Sequence, residues 1–407
     1  VSSLLQYVVA VLLWTALAVY GFSVVWWLAE TVLLSRGWRP TESMWGLDDI
    51  QVRVLTVDAD AVVQTTVNSV PDAVTDVRVI AEKPMDIDGA TVHVVPDDFD
   101  CTATNKGRAV EWAARNVPCE SEYVLYLDED TLVAGLDGLP DADFVQFTEK
   151  PLYTGSRLTY LCEVFRTGYQ FEQLGFHRLT YPLYAWGGGF AIRHSVEQTV
   201  GWDVETITED TNLVWRAADA MDLDYRLVDA RFRNQAPPSV RAMLKQRRRW
   251  MSGTMADDHL LPLRYRPLYF TRVVAWAFSP LVPVLVVAAY LLPGTTPGME
   301  LYSLLSTLLL LVLFVYMLGG AIAYKKHPVL WPVFVALTPL AVVLHAAGAM
   351  WGVVSPVADF EVTEKVTADT IEDVNAGLSD GELDAHDGTD RLVRDSADEY
   401  DFNVFDD

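Results

Sequence analysis

Tyr123-Val124-Leu125-Tyr126-Leu127-Asp128-Glu129-Asp130 is an apolar run of strand length that stops in three acids. A nearly unbroken apolar run fits a strand covered on both faces, as in parallel sheets, better than one face turned to water. The same signature recurs upstream: Val52–Val57 closes at Asp58, Val77–Ala81 at Glu82, and Thr91–Val95 at Pro96. Between these runs lie helical patterns, Ala61–Val70 and Lys106–Asn116, the second with Val110, Ala113 and Ala114 on one face. Strands alternating with helices predict an α/β domain, Rossmann-like, with a parallel sheet and right-handed crossovers. Ligands of such sheets bind outside the carboxyl ends of the strands, where these acids stand.

Two aspartates at i and i+2 at a strand end can hold Mg²⁺ or Mn²⁺, which bridges a diphosphate and neutralises a leaving group. In so acidic a chain, acids of this kind also simply mark loops. Lys106 and Arg108 stand at a helix start, where they oppose the dipole; an anionic partner or a solvated basic turn accounts for them equally. Trp186-Gly187-Gly188-Gly189-Phe190 is a turn before an apolar strand, either a plain hairpin or a place where backbone approaches a ligand closely. Thr208-Glu209-Asp210 heads a helical pattern and offers carboxylates where orphan N–H groups favour negative charge. Gln246-Arg247-Arg248-Arg249-Trp250 supplies an amide, guanidinium forks suited to a diphosphate, and an indole suited to stacking on a sugar.

The chain has 407 residues, 51% of them hydrophobic, and a net charge of −25 from 55 acidic and 30 basic residues. Only seven of the 30 are lysines, and an Asp-rich, Lys-poor surface points to a salt-loving (halophilic) source, while saying nothing of fold. Cys101, Cys119 and Cys162 have no metal-like spacing.

A bilayer core takes about 20 helical residues. Leu4–Val25 meets that length, with Trp26 and Trp27 as an interfacial belt, and so do Tyr269–Leu292 and Leu301–Tyr324. Basic residues flank these runs at Arg36 and Arg39, at Arg264, Arg266 and Arg272, and at Lys325 and Lys326, whereas the turn Pro293–Gly298 has none. The positive-inside tendency therefore places the α/β domain in the cytoplasm of a multi-pass cell-membrane protein. The spans carry no evident charge pair, which argues against a transporter. A fourth apolar run, Val329–Val354, is interrupted by Pro332 and Pro339 and is expected to be interfacial or re-entrant rather than spanning. The acidic tail 367–407 cannot bury enough apolar surface to order itself.

In order, Asp128-Glu129-Asp130, Thr208-Glu209-Asp210 and Gln246-x-x-Arg249-Trp250, with apolar spans after them, resemble the membrane-bound family 2 glycosyltransferases. The pattern is that of the cellulose, chitin and hyaluronan synthases and their egghead-type mannosyltransferase relatives, and it covers roughly Val52 to Lys365. The resemblance implies a GT-A catalytic domain, cytoplasmic and inserted between transmembrane helices. It implies Asp128 and Asp130 as metal ligands, Asp210 as general base beside Glu209 and Thr208, and Gln246 and Arg249 at the diphosphate. Trp250 and Gly188 would meet the acceptor, while Asp58, Glu82, Lys106 and Asp128 hold the nucleotide. Glu82 departs from the pattern, which more often has aspartate there. Phe360-x-Val362-Thr363-x-Lys365 is similar to the gating loop of cellulose synthases, with Thr363 and Lys365 closing over the donor phosphates.

The expected organisation is a transmembrane helix over 1–35, the GT-A domain over 36–240, interfacial helices with the Q-x-x-R-W motif over 241–265, and two transmembrane helices over 266–325. An apolar segment over 326–358, interfacial or re-entrant or else a third C-terminal transmembrane segment, the gating-like loop over 359–366 and the acidic tail complete it. The expected activity is inverting, metal-dependent transfer from a nucleotide sugar, UDP-linked, to a growing polysaccharide or a lipid-linked glycan. Single additions to a lipid-linked sugar are the alternative. A catalytically silent membrane scaffold is the competing reading from another class. Membrane lipids are expected partners, and nucleic acid is not.

Overall fold

A computed structural model of the protein describes residues 2–39, 42–358 and 365–371. The chain divides into two compact units, one of 37–160, 176–239 and 358 onward, the other of 1–36, 161–175 and 240–357.

The first unit is built on seven strands: β1 Ile50–Thr56, β2 Asp76–Ala81, β3 Thr91–Val94, β4 Tyr123–Asp128, β5 Phe144–Glu149, β6 Phe190–Arg193 and β7 Tyr225–Phe232. Their order is β3-β2-β1-β4-β6-β5-β7. The four strands expected from sequence pair in parallel, with Val54 opposite both Val79 and Leu127 and Leu55 opposite Asp128. β4 and the whole of β1 are covered on both faces, and β4 accordingly reads as a near-continuous apolar run. Val63 and Val67 of the helix Asp60–Asn68 seal one face over Val52, Val54 and Leu125. Gln51 and Arg53 are fully buried in β1; the guanidinium of Arg53 donates to the Tyr126 hydroxyl at 2.9 Å and faces the Glu197 carboxylate at 3.6 Å. A buried charge is tolerated when it is paired in this way.

The expectation of a parallel sheet holds only for that half. β6 runs antiparallel to both β4 and β5, and β5 and β7 are parallel to one another, so the sheet is mixed. Reversing β6 brings its entry, the glycine turn Gly187–Gly189, to the edge where β4 and β1 end. The ends of β5 and β7 lie there too.

The second unit is helical. Ser2–Leu28 runs on into a π-helical turn, Ala29–Leu34, and Leu4–Leu34 and Met299–Ala323 are both long and apolar enough to cross a membrane. The expected second span is not one helix: Arg266–Phe278 and Leu281–Leu291 meet at 63°, with Ser279 and Pro280 at the break. Pro328–Ala336 and Thr338–Val354 meet at 57°. Pro332 and Pro339 each sit in the first turn of a helix, where the missing N–H is no loss, so they start two short helices rather than kink one long one.

Two other expectations do not hold. Trp27 is buried, its ring centroid 3.6 Å from that of Tyr316, and is packing rather than interfacial belt. An ion pair also lies at the end of the first span: Arg272 donates to Glu172 at 2.7 Å and 2.9 Å and reaches Glu30 at 3.4 Å. Sequence spacing hides it, because Glu172 comes from the short segment 161–175 that packs in this unit.

Candidate active site

The carboxyl edge of the sheet gathers most of the charged residues singled out from sequence. Glu209 and Asp210 open the helix Glu209–Ala220, which buries Leu213, Val214 and Ala217 on its inner side and thereby fixes its first turn. Lys106 opens the helix Lys106–Asn116 after Asn105, whose φ of 52° turns the chain sharply into it. The Lys106 ammonium lies 2.7 Å from Asp128 Oδ1 and 2.9 Å from Glu209 Oε1. The cation that opposes its own helix dipole is therefore held by carboxylates from β4 and from a second helix start, and the solvated-turn alternative does not apply. A Cβ on Gly187 would stand 2.8 Å from Asp210 Oδ2 and 3.5 Å from Lys106 Nζ, so the glycine turn runs directly against the base candidate.

Three carboxylates share one ammonium here. Burial pushes Asp210 up, the neighbouring Glu209 adds to it, and Lys106 opposes both; the carboxyl rests at about 7. Burial works against the charge of Lys106, but Asp128, Glu209 and Asp210 outweigh it and raise its pKa, so it stays an ammonium. Asp210 Oδ1 accepts the Thr211 N–H at 2.7 Å, which orients the carboxylate. Thr208 is the residue before this helix; its N–H donates to Thr206 Oγ1 at 3.1 Å, and its side chain does not cap the helix.

The three acids after β4 take separate roles. Glu129 turns inward: Thr56 donates to its carboxylate at 2.7 Å, and burial raises its pKa. Asp130 is buried, accepts the Gln235 N–H at 3.0 Å and pairs with Lys365 at 2.5 Å. Lys365 reaches it because Val366 and Gln235 exchange hydrogen bonds, 2.8 Å and 2.7 Å, and Ile371 packs on Leu132 and Leu152. Thr363, like Phe360 and Val362, lies outside the described residues. Asp58 is exposed and pairs with Lys83 at 2.5 Å; Glu82 pairs with Arg108 at 3.1 Å.

Among the described residues no group of three or more His, Cys, Asp or Glu side chains is arranged to hold a metal ion. Asp128 and Asp130 nevertheless offer hard oxygen donors from one strand end, and each already balances a cation, Lys106 or Lys365. That donor set suits a cation such as Mg²⁺, which takes one or two protein carboxylates and completes its shell with phosphate oxygens and water.

Gln246, Arg249 and Trp250 belong to the helical unit, on the helix Val240–Ala256. Its centre is Arg247, which sequence reading passed over: it is fully buried, pairs with Glu163, donates to Gln246 Oε1 at 2.6 Å and lies 4.1 Å from the Trp250 ring centroid. Burial pushes Glu163 up, but Arg166 and Arg247 outweigh it and hold the carboxyl at about 2. Arg247 is itself lowered, chiefly by burial, with Glu163 opposing the shift and Arg166 adding to it.

Sequence reading also missed Glu149 at the end of β5 and Asn234 just after β7. A Cβ on Gly188 would overlap Glu149 Oε1 and Asn234 Nδ2. The signal for Glu149 was present, since Phe144–Phe147 is one more apolar run closing near an acid.

Residues 123–351 match the profile of glycosyl transferase family group 2. No curated protein matches the chain. Among solved structures the chain is similar to a mannosyltransferase from Pyrobaculum calidifontis in complex with GDP-mannose and Mn²⁺, at 14% identity, 79% of this chain, 99% of that one and a TM-score of 0.49. It is also similar to glucosyl-3-phosphoglycerate synthase from Mycobacterium tuberculosis in complex with Mg²⁺ and UDP, at 15% identity, 55% of this chain, 87% of that one and a TM-score of 0.35.

Proposed function

The chain belongs to glycosyl transferase family group 2, and from that premise we propose that it is an inverting membrane glycosyltransferase, moving a sugar from a UDP-linked nucleotide donor to a growing polysaccharide or lipid-linked glycan. The observation that carries this reading is Asp210, a carboxylate resting at about 7 against the glycine turn and beside the Lys106–Asp128–Glu209 cluster. A base with a pKa near the working pH combines a useful deprotonated fraction with real proton affinity.

Asp128 and Asp130 are the residues that would hold Mg²⁺ or Mn²⁺, which when bound neutralises the leaving diphosphate. Lys106 and Lys365 would then turn from the carboxylates to phosphate oxygens, keeping the edge charge-balanced. Asp210 takes the proton from the acceptor hydroxyl as that oxygen attacks the anomeric carbon from the face opposite the diphosphate, which inverts the configuration. Asp58 and Glu82, at the ends of β1 and β2, are assigned to the nucleoside. In the helical unit Gln246 and Arg249 are assigned to the diphosphate and Trp250 to the acceptor sugar. The apolar helices support a membrane protein; we assign it a multi-pass topology with a cytoplasmic GT-A domain, on the basic residues that flank the apolar runs, and assign Val329–Val354 to the interface.

Membranes carrying the protein, incubated with Mn²⁺ and radiolabelled UDP-glucose, UDP-N-acetylglucosamine or GDP-mannose, should yield a labelled lipid-soluble or polymeric product. Asp210→Asn should reduce its formation by about 10²–10⁴-fold. A silent scaffold would give neither product nor donor hydrolysis. Product size separates chain synthesis from single additions to a lipid-linked sugar.

A further inference from the structure

The strands β5 and β7 keep regular register as far as Phe147 opposite Val228; then Glu149 stands opposite Phe232, so β7 spends two more residues than β5 over the same stretch. Arg231 lies inside this bulge with φ of 52°, a conformation a non-glycine side chain adopts only at a cost. Local bonds hold it: Thr148 Oγ1 donates to Asp229 at 2.8 Å, the Arg231 N–H donates to Thr148 Oγ1 at 2.9 Å, and the Arg231 guanidinium reaches Asp229 at 3.2 Å. Bulges re-aim side chains and are frequent beside active sites. This one delivers Asn234 and the Glu149 carboxylate to the same point, the place where Gly188 has no side chain.

The polarity of the pair is defined. Thr131, next to Asp130, donates to Asn234 Oδ1 at 2.7 Å, which turns Nδ2 the other way, and that nitrogen donates to no described residue. Glu149 is only 6% exposed, whereas Gly187, Gly188 and Asn234 keep part of their surface open to solvent. Consecutive glycines thus face two sets of groups, Asp210 and Lys106 at Gly187, Glu149 and Asn234 at Gly188.

We propose that Asn234 and Glu149 are specificity-determining residues that bind adjacent hydroxyl groups of one sugar ring lying on the glycine turn, the amide donating to one oxygen and the carboxylate accepting from its neighbour. This assignment rests on the glycosyltransferase reading above and adds the groups that select the sugar. A carboxylate and an amide N–H₂ are complementary to a vicinal diol, in which each hydroxyl both donates and accepts. Sites built around such bonds discriminate strongly against analogues lacking the hydroxyl. The ring belongs either to the donor or to the end of the acceptor.

The test measures kcat/KM for wild type, Asn234→Asp and Glu149→Gln with UDP-glucose and GDP-mannose and with their monodeoxy analogues at each ring position. A parallel series with monodeoxy glucose and mannose acceptors distinguishes the two sources. Asn234→Asp keeps the acceptor for Thr131 and removes the N–H₂, so the fold is retained, as matched melting temperatures check. Wild type should reject one or two deoxy analogues, and in the variants that discrimination should collapse at those same positions. Turnover of the full sugar should fall about tenfold for Asn234→Asp and about 10²-fold for Glu149→Gln. Collapse in the donor series assigns the donor ring, and collapse in the acceptor series the acceptor ring. Variants that keep wild-type discrimination at every position in both series overturn the proposal while leaving the enzymatic reading intact. A wild-type protein that transfers from no donor overturns the enzymatic reading itself, and this one with it.

Discussion

Asp210→Asn should make the protein more stable at alkaline pH while it abolishes transfer. The Asp210 carboxyl moves from an ordinary 3.8 to about 7, chiefly because burial and Glu209 penalise its charge. The folded state thus holds the proton more tightly than the unfolded chain does. The stability this gives is fully present below pH 3.8 and is lost as pH rises through about 7. At about 1.36 kcal/mol per unit, the raised pKa costs up to about 4 kcal/mol above pH 7 and clearly less at pH 5, where the folded carboxyl is still protonated. Asparagine keeps the shape and carries no such cost, and the attraction of Lys106 is already contained in the net shift. Melting followed by intrinsic tryptophan fluorescence in detergent with EDTA should show the variant ahead of wild type by several degrees at pH 8 and by clearly less at pH 5. A gain independent of pH, or a loss at pH 8, would refute the placement of a strained carboxylate at the head of that helix.

Asp130→Ala should remove Mn²⁺-dependent donor binding; calorimetry giving unchanged affinity with Mn²⁺ would exclude Asp130 as a ligand. Trp250→Ala should impair acceptor use more than donor hydrolysis, by roughly 1 kcal/mol or more of lost stacking, whereas equal loss of both would reduce Trp250 to a packing partner of Arg247. Gly348→Val should unfold the helical unit or lower its melting temperature sharply, because a Cβ there would stand 2.5 Å from the Leu244 carbonyl oxygen and 2.7 Å from Arg247 Cβ; a variant melting like wild type would contradict that helix contact. Thr363→Cys should react with an impermeant maleimide only in opened or inverted vesicles, and labelling in sealed right-side-out vesicles would sink the cytoplasmic assignment.

The sequence by itself determined the parallel half of the sheet, because short apolar-rich runs that stop at acids or proline alternate there with helical patterns. It also located the edge that holds the candidate site, since the acids Asp58, Glu82 and Asp128 stand where the strand signal stops, and it marked the apolar helices by length alone. Antiparallel β6 and the bulge between β5 and β7 were decided by tertiary structure. Each depends on pairing or packing partners more than a turn away in sequence, and short runs such as Phe190–Arg193 carry no directional information. The same holds for the side-chain partners. Lys106 with Glu209, Arg247 with Glu163 and Arg272 with Glu172 are about 80 to 100 residues apart, and a charge shows its partner only once the fold removes water from around it.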